Sequence, residues 1–230
     1  MSRREKIMLK LALIGKDISH SQSPKIYQEI LNKKHQYDLL DYQNNADIPL
    51  LEDLFKVYDG INITAPYKKK FLPELTRNES KVEGVNVIKK VGDGFIGTNT
   101  DYLACEEILT ELEDKHSFEN ILILGDGVMA NLLKVLLEHK SINYSQFSRR
   151  AQNLHLIESE ILPDKKTLII NACAREYQFH IQSNARYVFW DLNYKLEHNA
   201  QFVRAQDSLY IDGIGLLVLQ AKYALSFWNF

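Results

Sequence analysis

Short apolar runs alternate with helically periodic stretches along this chain. Leu9 to Ile14 is nearly all apolar and closes on Gly15, the form of a strand buried on both faces. Ile26, Tyr27, Ile30 and Leu31 then recur at helical spacing behind Ser23-Pro24, which reads as an N-cap and a first helical residue. Tyr37 to Tyr42 reads as a second strand. Ile48 to Tyr58 reads as a helix with Leu50, Leu51, Leu54, Phe55 and Tyr58 on its apolar face. Gly60 to Lys68 reads as a third strand, Ile61 and Ile63 alternating with Asn62 and Thr64, and should end at Pro66, which has no N–H for a ladder. Strand, helix, strand, helix, strand predicts a largely parallel sheet.

The pattern continues past a polar stretch beyond Pro73. Glu83 to Ile88 and Phe95 to Thr98 flank Gly92-Asp93-Gly94 as a hairpin. Asn99-Thr100-Asp101 is an N-cap signature for a helix carrying Leu103, Ile108, Leu109 and Leu112, with Glu106 and Glu107 near its positive end. Ile121 to Leu124 is an apolar strand entering Gly125-Asp126-Gly127, followed by a helix with Leu132, Leu133, Val135, Leu136 and Leu137. That is the first strand-turn-helix unit of a dinucleotide-binding domain, in which glycine permits the tight turn and the helix N-terminus attracts a pyrophosphate. The usual third glycine is absent and Ala130 is the nearest small residue, so a cofactor-free strand-turn-helix fits the motif as well.

A strand from Ile142 to Phe147 runs into Ser148-Arg149-Arg150. An NAD site carries an acid about 20 residues past its glycines, on the ribose 2′-hydroxyl. Two arginines and a serine stand there instead, and a guanidinium fork suits a 2′-phosphate, so NADP fits better than NAD. The plainer alternative is a pair of exposed arginines at a strand end. Thr167 to Asn171 and Tyr187 to Leu192 read as further strands, with room for one short helix at most between the arginines and Thr167. Gly213-Ile214-Gly215 opens a last, very apolar helix in which Gln220 needs a partner if buried.

Composition narrows the class. Of 230 residues, 45% are hydrophobic and 25% charged, which is a soluble globular profile. A net charge of −2 gives no general attraction to nucleic acid or anionic membrane, so any anion site must be built locally. No apolar run approaches the ~20 residues of a membrane span. Met1 to Lys10 lacks the apolar core and cleavage site of a signal peptide, and a cytoplasmic protein is expected. Cys105 and Cys173 have no disulfide or zinc spacing and read as small buried hydrophobes; no metal is expected.

The candidate chemistry sits at strand ends. Lys68 follows the third strand, where α/β proteins hold ligands, whereas Lys69 and Lys70 read as a solvated run. His20, Ser21 and Ser23 cluster at one strand-to-helix junction. Capping alone accounts for either serine, but paired hydroxyls can also bind a polar ligand.

Taken in order, these segments resemble the shikimate dehydrogenase family, including its quinate/shikimate relatives. The resemblance runs almost end to end. Its most specific parts are His20-Ser21-Gln22-Ser23-Pro24, Asn62-Ile63-Thr64-Ala65-Pro66-Tyr67-Lys68 and Gly97-Thr98-Asn99-Thr100-Asp101. It implies a two-domain α/β fold: a substrate-binding domain (1–102 plus 213–230) and a Rossmann-like NADP-binding domain (103–212), with the active site in the cleft between them. It implies NADP-linked reduction of 3-dehydroshikimate to shikimate by a monomer or homodimer. By position, Lys68 and Asp101 are the catalytic pair. Ser21, Ser23, Thr64, Asn86, Tyr194 and Gln220 are substrate binders. Gly125, Gly127, Ala130, Ser148, Arg149, Arg150, Leu192 and Gly213 fall on the cofactor side. The family's Gly-Ala-Gly-Gly-Ala loop is replaced by Gly125-Asp126-Gly127-Val128-Met129, and Ser148 replaces an asparagine. A quinate or aminated-analogue dehydrogenase, and a non-catalytic metabolite-binding protein with a degenerate cofactor site, are the alternatives.

Overall fold

A computed structural model describes residues 8–31 and 34–230. The basic N-terminal residues 1–7, on which the leader expectation partly rests, lie outside the described residues. The chain divides into two compact units, Met1–Ala104 with Leu217–Phe230, and Cys105–Leu216.

The first unit is built on a six-stranded sheet. Its strands are β1 (Leu9–Gly15), β2 (His35–Asp41), β3 (Gly60–Ile63), β4 (Arg77–Asn78), β5 (Val87–Val91) and β6 (Gly94–Thr98), in the order β2-β1-β3-β5-β6-β4. β1 pairs in parallel with both β2 and β3. β3 with β5 and β5 with β6 are antiparallel, so the sheet is mixed rather than largely parallel. The reason lies in the connections: helices α1 (Ser23–Ile30) and α2 (Leu51–Leu54) link the first three strands, but a hairpin links β5 to β6, and a hairpin reverses direction. One core cluster joins Ile14, Leu51, Leu54, Ile61, Ile63 and Phe71. Another packs Leu11, Tyr27 and Leu31 against Ala221, Ala224 and Trp228 of the last helix, α7 (Ile214–Phe227). Gly60 is the close-approach point, since a Cβ there would lie 2.5 Å from the Trp228 ring.

Several expected elements are shorter, each because a side chain or turn claims the backbone. The helix expected over 48–58 is only Leu51–Leu54. Leu50 is extended, the Leu51 N–H goes to Glu74 Oε2 at 2.7 Å, and the Asp59 N–H already joins Lys10 O at 2.7 Å. β3 stops at Ile63, because Thr64 O accepts the Tyr67 N–H at 2.9 Å and turns the chain before Pro66. The strand expected from Ile142 is Ser145–Phe147. Ser141 takes φ 57° and the Ile142 N–H bonds Leu137 O at 2.9 Å, so Ile142 closes the preceding helix instead.

The second unit holds β7 (Asn120–Leu124), β8 (Ser145–Phe147), β9 (Thr167–Asn171), β10 (Tyr187–Asp191) and β11 (Leu209–Ile211), in the order β11-β10-β9-β7-β8. Every pairing is parallel, giving a Rossmann-like sheet. Its helices are α3 (Thr100–His116), whose first residues to Ala104 belong to the first unit, α4 (Val128–His139), the short α5 (Ile157–Glu160) and α6 (Glu197–Arg204). The sequence reading missed β4, α6 and β11: α6 shows only a narrow apolar stripe, and both strands are too short for an alternation to register. Cys105 is buried as expected, but Cys173 is only half-buried because it follows β9 at an open strand end.

Asp191 shows how the unit tolerates a buried charge. Its carboxylate accepts from Asn171 Nδ2 (3.0 Å), the Asn193 N–H (3.0 Å), Asn199 Nδ2 (2.9 Å) and the Tyr210 hydroxyl (3.3 Å). Neutral donors replace its water shell, without which burying a charge is costly.

Candidate active site

In the first unit, candidate residues gather at one end of the sheet because parallel strands deliver their C-terminal ends together. β1 ends at Gly15, leading to Ser21 and Ser23. The Thr64 N–H, just past β3, bonds Ile14 O at 2.9 Å. Gly15 permits this approach, since a Cβ there would stand 2.5 Å from the Thr64 methyl. β5 runs antiparallel to β3, so its start carries Asn86 to the same end, where Asn86 O accepts the Ile63 N–H at 2.8 Å. β6 ends at Thr98 and delivers Asn99 to Asp101.

Lys68 Nζ stands 2.6 Å from Asp101 Oδ2, with side chains only 15% and 18% exposed. Lys68 is held from both sides. Tyr67 is buried with its hydroxyl on Tyr42 O at 2.7 Å, and Phe71 is fully buried. The Val85 N–H bonds Lys68 O at 2.9 Å. Asp101 is held by the start of α3, where Asn99 Oδ1 accepts the Tyr102 N–H at 3.0 Å and Asn99 Nδ2 donates to Gly84 O at 2.8 Å. Lys69 instead pairs with Glu83 at 2.6 Å and is 60% exposed.

Around this pair runs a buried polar chain. Asn86 Oδ1 accepts the Thr100 N–H at 2.7 Å and its hydroxyl at 3.3 Å. The Thr100 hydroxyl also lies 3.5 Å from Gln220 Oε1, and Gln220 Nε2 donates to Leu217 O at 3.0 Å. Thus Gln220 has the partners its burial demands. The expected capping role of Ser23 shifts by one residue: Gln22 is the N-cap and lends no side-chain bond. Ser21 Oγ accepts the Ser23 N–H at 3.2 Å. The Ser23 hydroxyl bonds Tyr37, whose own hydroxyl donates to Asn62 Oδ1 at 2.9 Å, as does that of Tyr27. Burial first of all pushes both phenols well above their ordinary pKa, so they remain donors to Asn62. Sequence reading named none of Asn62, Thr100 and Tyr37 as a site residue. Polar residues inside apolar runs were the available signal.

In the second unit, strand order reverses between β8 and β9 on either side of β7, which is where such sheets bind ligands. A cavity of about 710 Å³ opens there, lined by Gly125, Asp126, Gly127, Ser148, Arg149 and Cys173 among others. Gly125 has φ 106°, and a Cβ on it would meet Ala172 O at 2.8 Å, so only glycine suits that turn. A Cβ on Gly127 would meet nothing within 4 Å, leaving open space before the free N–H groups that start α4. Asn153 Oδ1 accepts the Ser148 N–H at 2.8 Å and fixes the loop after β8. Burial, chiefly, pushes the Cys173 thiol up to about 11 against the opposing pull of Arg149.

Four expected cofactor residues, Ala130, Arg150, Leu192 and Gly213, do not line this cavity. Ala130 is fully buried in α4. Arg150 does not line the cavity; its Nε stands 3.4 Å from Asp126 Oδ2 and its side chain is 85% exposed. Leu192 is half-buried and its N–H bonds Asn171 O at 3.0 Å. Gly213 packs against the Leu192 backbone, with its N–H on Asn193 O at 2.7 Å. The Tyr194 ring lies 5.0 Å from the Arg175 guanidinium.

A family model described as the shikimate dehydrogenase substrate binding domain matches residues 13–88. A relative from Buchnera aphidicola subsp. Schizaphis graminum, named shikimate dehydrogenase (NADP(+)), is 30% identical over 249 residues, covering 95% of this chain and 91% of its own. This chain belongs to the shikimate dehydrogenase family. A family member from Blochmanniella floridana, of the same name, is 28% identical and covers 96% and 94% of the two chains. Among solved structures, a Thermus thermophilus shikimate dehydrogenase in complex with NADP(H) and shikimate aligns with a TM-score of 0.74 at 20% identity, over 96% and 94% of the chains. A Corynebacterium glutamicum quinate dehydrogenase in complex with NAD aligns with a TM-score of 0.75 at 18% identity, over the same shares. At such identities the structural likeness speaks for the fold.

Proposed function

We propose that this chain is an NADP-dependent shikimate dehydrogenase, reversibly reducing 3-dehydroshikimate to shikimate with Lys68 and Asp101 as its catalytic pair. The 2.6 Å Lys68–Asp101 contact among hydroxyl and amide side chains at one sheet end carries this reading. Family membership supplies the reaction class.

The residues fit the cofactor by their chemistry. The open space at Gly127, the free N–H groups opening α4 and the Arg149 guanidinium suit a pyrophosphate and a 2′-phosphate. Bound NADPH supplies the hydride. As the ketone is reduced, negative charge develops on its oxygen, and the Lys68 ammonium stabilises that charge and delivers the proton. In the reverse direction the resulting amine takes the proton back. Asp101 holds Nζ in position and accepts a hydrogen bond from a substrate hydroxyl. Ser21 and Ser23 bind the substrate carboxylate through neutral donors, the Ser23 hydroxyl turning from Tyr37 to do so. Thr64, Asn86 and Gln220 bind the ring hydroxyls.

The test is NADPH consumption on adding 3-dehydroshikimate to the purified chain. Steady turnover dependent on both ligands is expected. No turnover at millimolar concentrations of each, with the protein folded, defeats the proposal.

A further inference from the structure

The glycine turn carries a carboxylate where a phosphate is to approach. Asp126 lies between Gly125 and Gly127 and lines the same cavity as Ser148 and Arg149. Its Oδ2 is buried and makes no hydrogen bond among the described residues. Arg150 Nε stands 3.4 Å from that oxygen, near enough to balance its charge but not aligned to donate to it. Oδ2 is therefore shielded and charge-compensated, while the side chain as a whole stays 33% exposed at the cavity.

The backbone brings this carboxylate to the end of β8. The Gly125 N–H bonds Phe147 O at 2.8 Å, and Gln146 Nε2 donates to Gly125 O at 2.8 Å. That is the place where an acid reads a ribose diol in NAD sites of this fold. Of the two arginines after β8, Arg149 lines the cavity and Arg150 is committed to Asp126. Glu176 also lines the cavity, so a 2′-phosphate would meet one uncommitted guanidinium in a mixed field.

We propose that Asp126 sets cofactor choice in this chain: it ties up Arg150, leaves Arg149 alone to read a 2′-phosphate, and offers the exposed side of its carboxylate to a ribose hydroxyl, so that NAD(H) is accepted alongside NADP(H). The inference rests on the activity proposed above and specifies its cofactor class. In the apposition of Asp126 and Arg150, one residue opposes the 2′-phosphate twice, by its own charge and by holding a cation away.

The experiment is direct binding, read from the nicotinamide fluorescence of NADPH and NADH titrated with the full chain, so it needs no turnover. The wild-type dissociation constants should differ by less than about tenfold, the scale of one charge-assisted contact. Asp126→Asn should tighten NADPH about fivefold and weaken NADH about fivefold, the size of one screened unit-charge interaction. Adding Arg150→Ala to Asp126→Asn should abolish the NADPH gain, because that gain comes from the released guanidinium. Asp126→Ser serves as a second neutral variant, and thermal melting confirms that each protein is folded. Should the wild type bind NADPH and the neutral variants leave the NADPH-to-NADH ratio unchanged, this inference falls and the proposed activity stands. Should the folded wild type bind neither nucleotide, both fall.

Discussion

Removing the Lys68 ammonium is the sharpest test of the catalytic pair. Lys68→Met keeps an apolar stem over Gly84, where a glycine Cβ would already lie 3.0 Å from Lys68 Cβ, and deletes the charge 2.6 Å from Asp101. In the folded protein, Asp101 loses a charge-assisted partner, but its side chain is 18% exposed and water can reach it. The stability loss should therefore be about 1–2 kcal/mol, below the roughly 3–5 kcal/mol of a fully buried broken pair. Catalysis loses both the cation facing the developing alkoxide and the proton donor. Each is worth about 10²–10³-fold, but one ammonium supplies both and they do not multiply, so kcat should fall about 10³-fold, equivalent to about 4 kcal/mol in the transition state. KM for 3-dehydroshikimate should move only a few-fold, because the lost interaction strengthens in the transition state rather than in ground-state binding. The assay is initial-rate NADPH consumption, alongside urea unfolding to establish the folded fraction. A folded Lys68→Met protein with kcat within tenfold of wild type would refute the role of Lys68 as proton donor.

Other substitutions probe the rest of the frame. Gly127→Ala should leave the melting temperature nearly unchanged, because its Cβ meets nothing within 4 Å and φ is −80°, yet weaken NADPH about tenfold by placing a methyl where the pyrophosphate approaches. An unaltered dissociation constant would move the phosphate elsewhere. Gly60→Ala should destabilise the first unit by about 1–3 kcal/mol, since the new methyl meets the Trp228 ring, and a lower urea midpoint checks this. The Cys173 thiol, pushed up to about 11 chiefly by burial, exists as thiolate in only about one molecule per thousand at pH 8. Its alkylation by iodoacetamide should therefore be slow at pH 8 and climb through pH 10, and a rate already level by pH 8 would contradict the burial argument.

Local signals carried much of the fold. The apolar runs at β1, β7 and β9, the hairpin at Gly92 to Gly94 and the turn at Gly125 follow from side-chain period and glycine geometry, which act over a few residues. Elements went wrong where another group competed for the backbone. Glu74 takes the Leu51 N–H, and the 48–58 helix shrinks to a single turn. Ser141 in a left-handed conformation closes α4 and takes Ile142 from the next strand. The mixed first sheet escaped a reading based on strand-helix alternation, because partner choice for β5 depends on contacts far along the chain.

The same division runs through the candidate site. By itself the sequence determined which reactive residues the chain owns and that each lies at the end of a strand or the start of a helix, because turns and caps are written in neighbouring residues. It could not determine which of those ends meet. Tertiary structure decided that Lys68 lies against Asp101, 33 positions away, that Thr100 links Asn86 to Gln220, and that the Ser23 hydroxyl serves Tyr37. It also separated two adjacent arginines that look equivalent in sequence, turning Arg149 toward the cavity and Arg150 toward Asp126. Sheet register and strand order fix those pairings, and both are set by the summed packing of the whole unit rather than by any one segment.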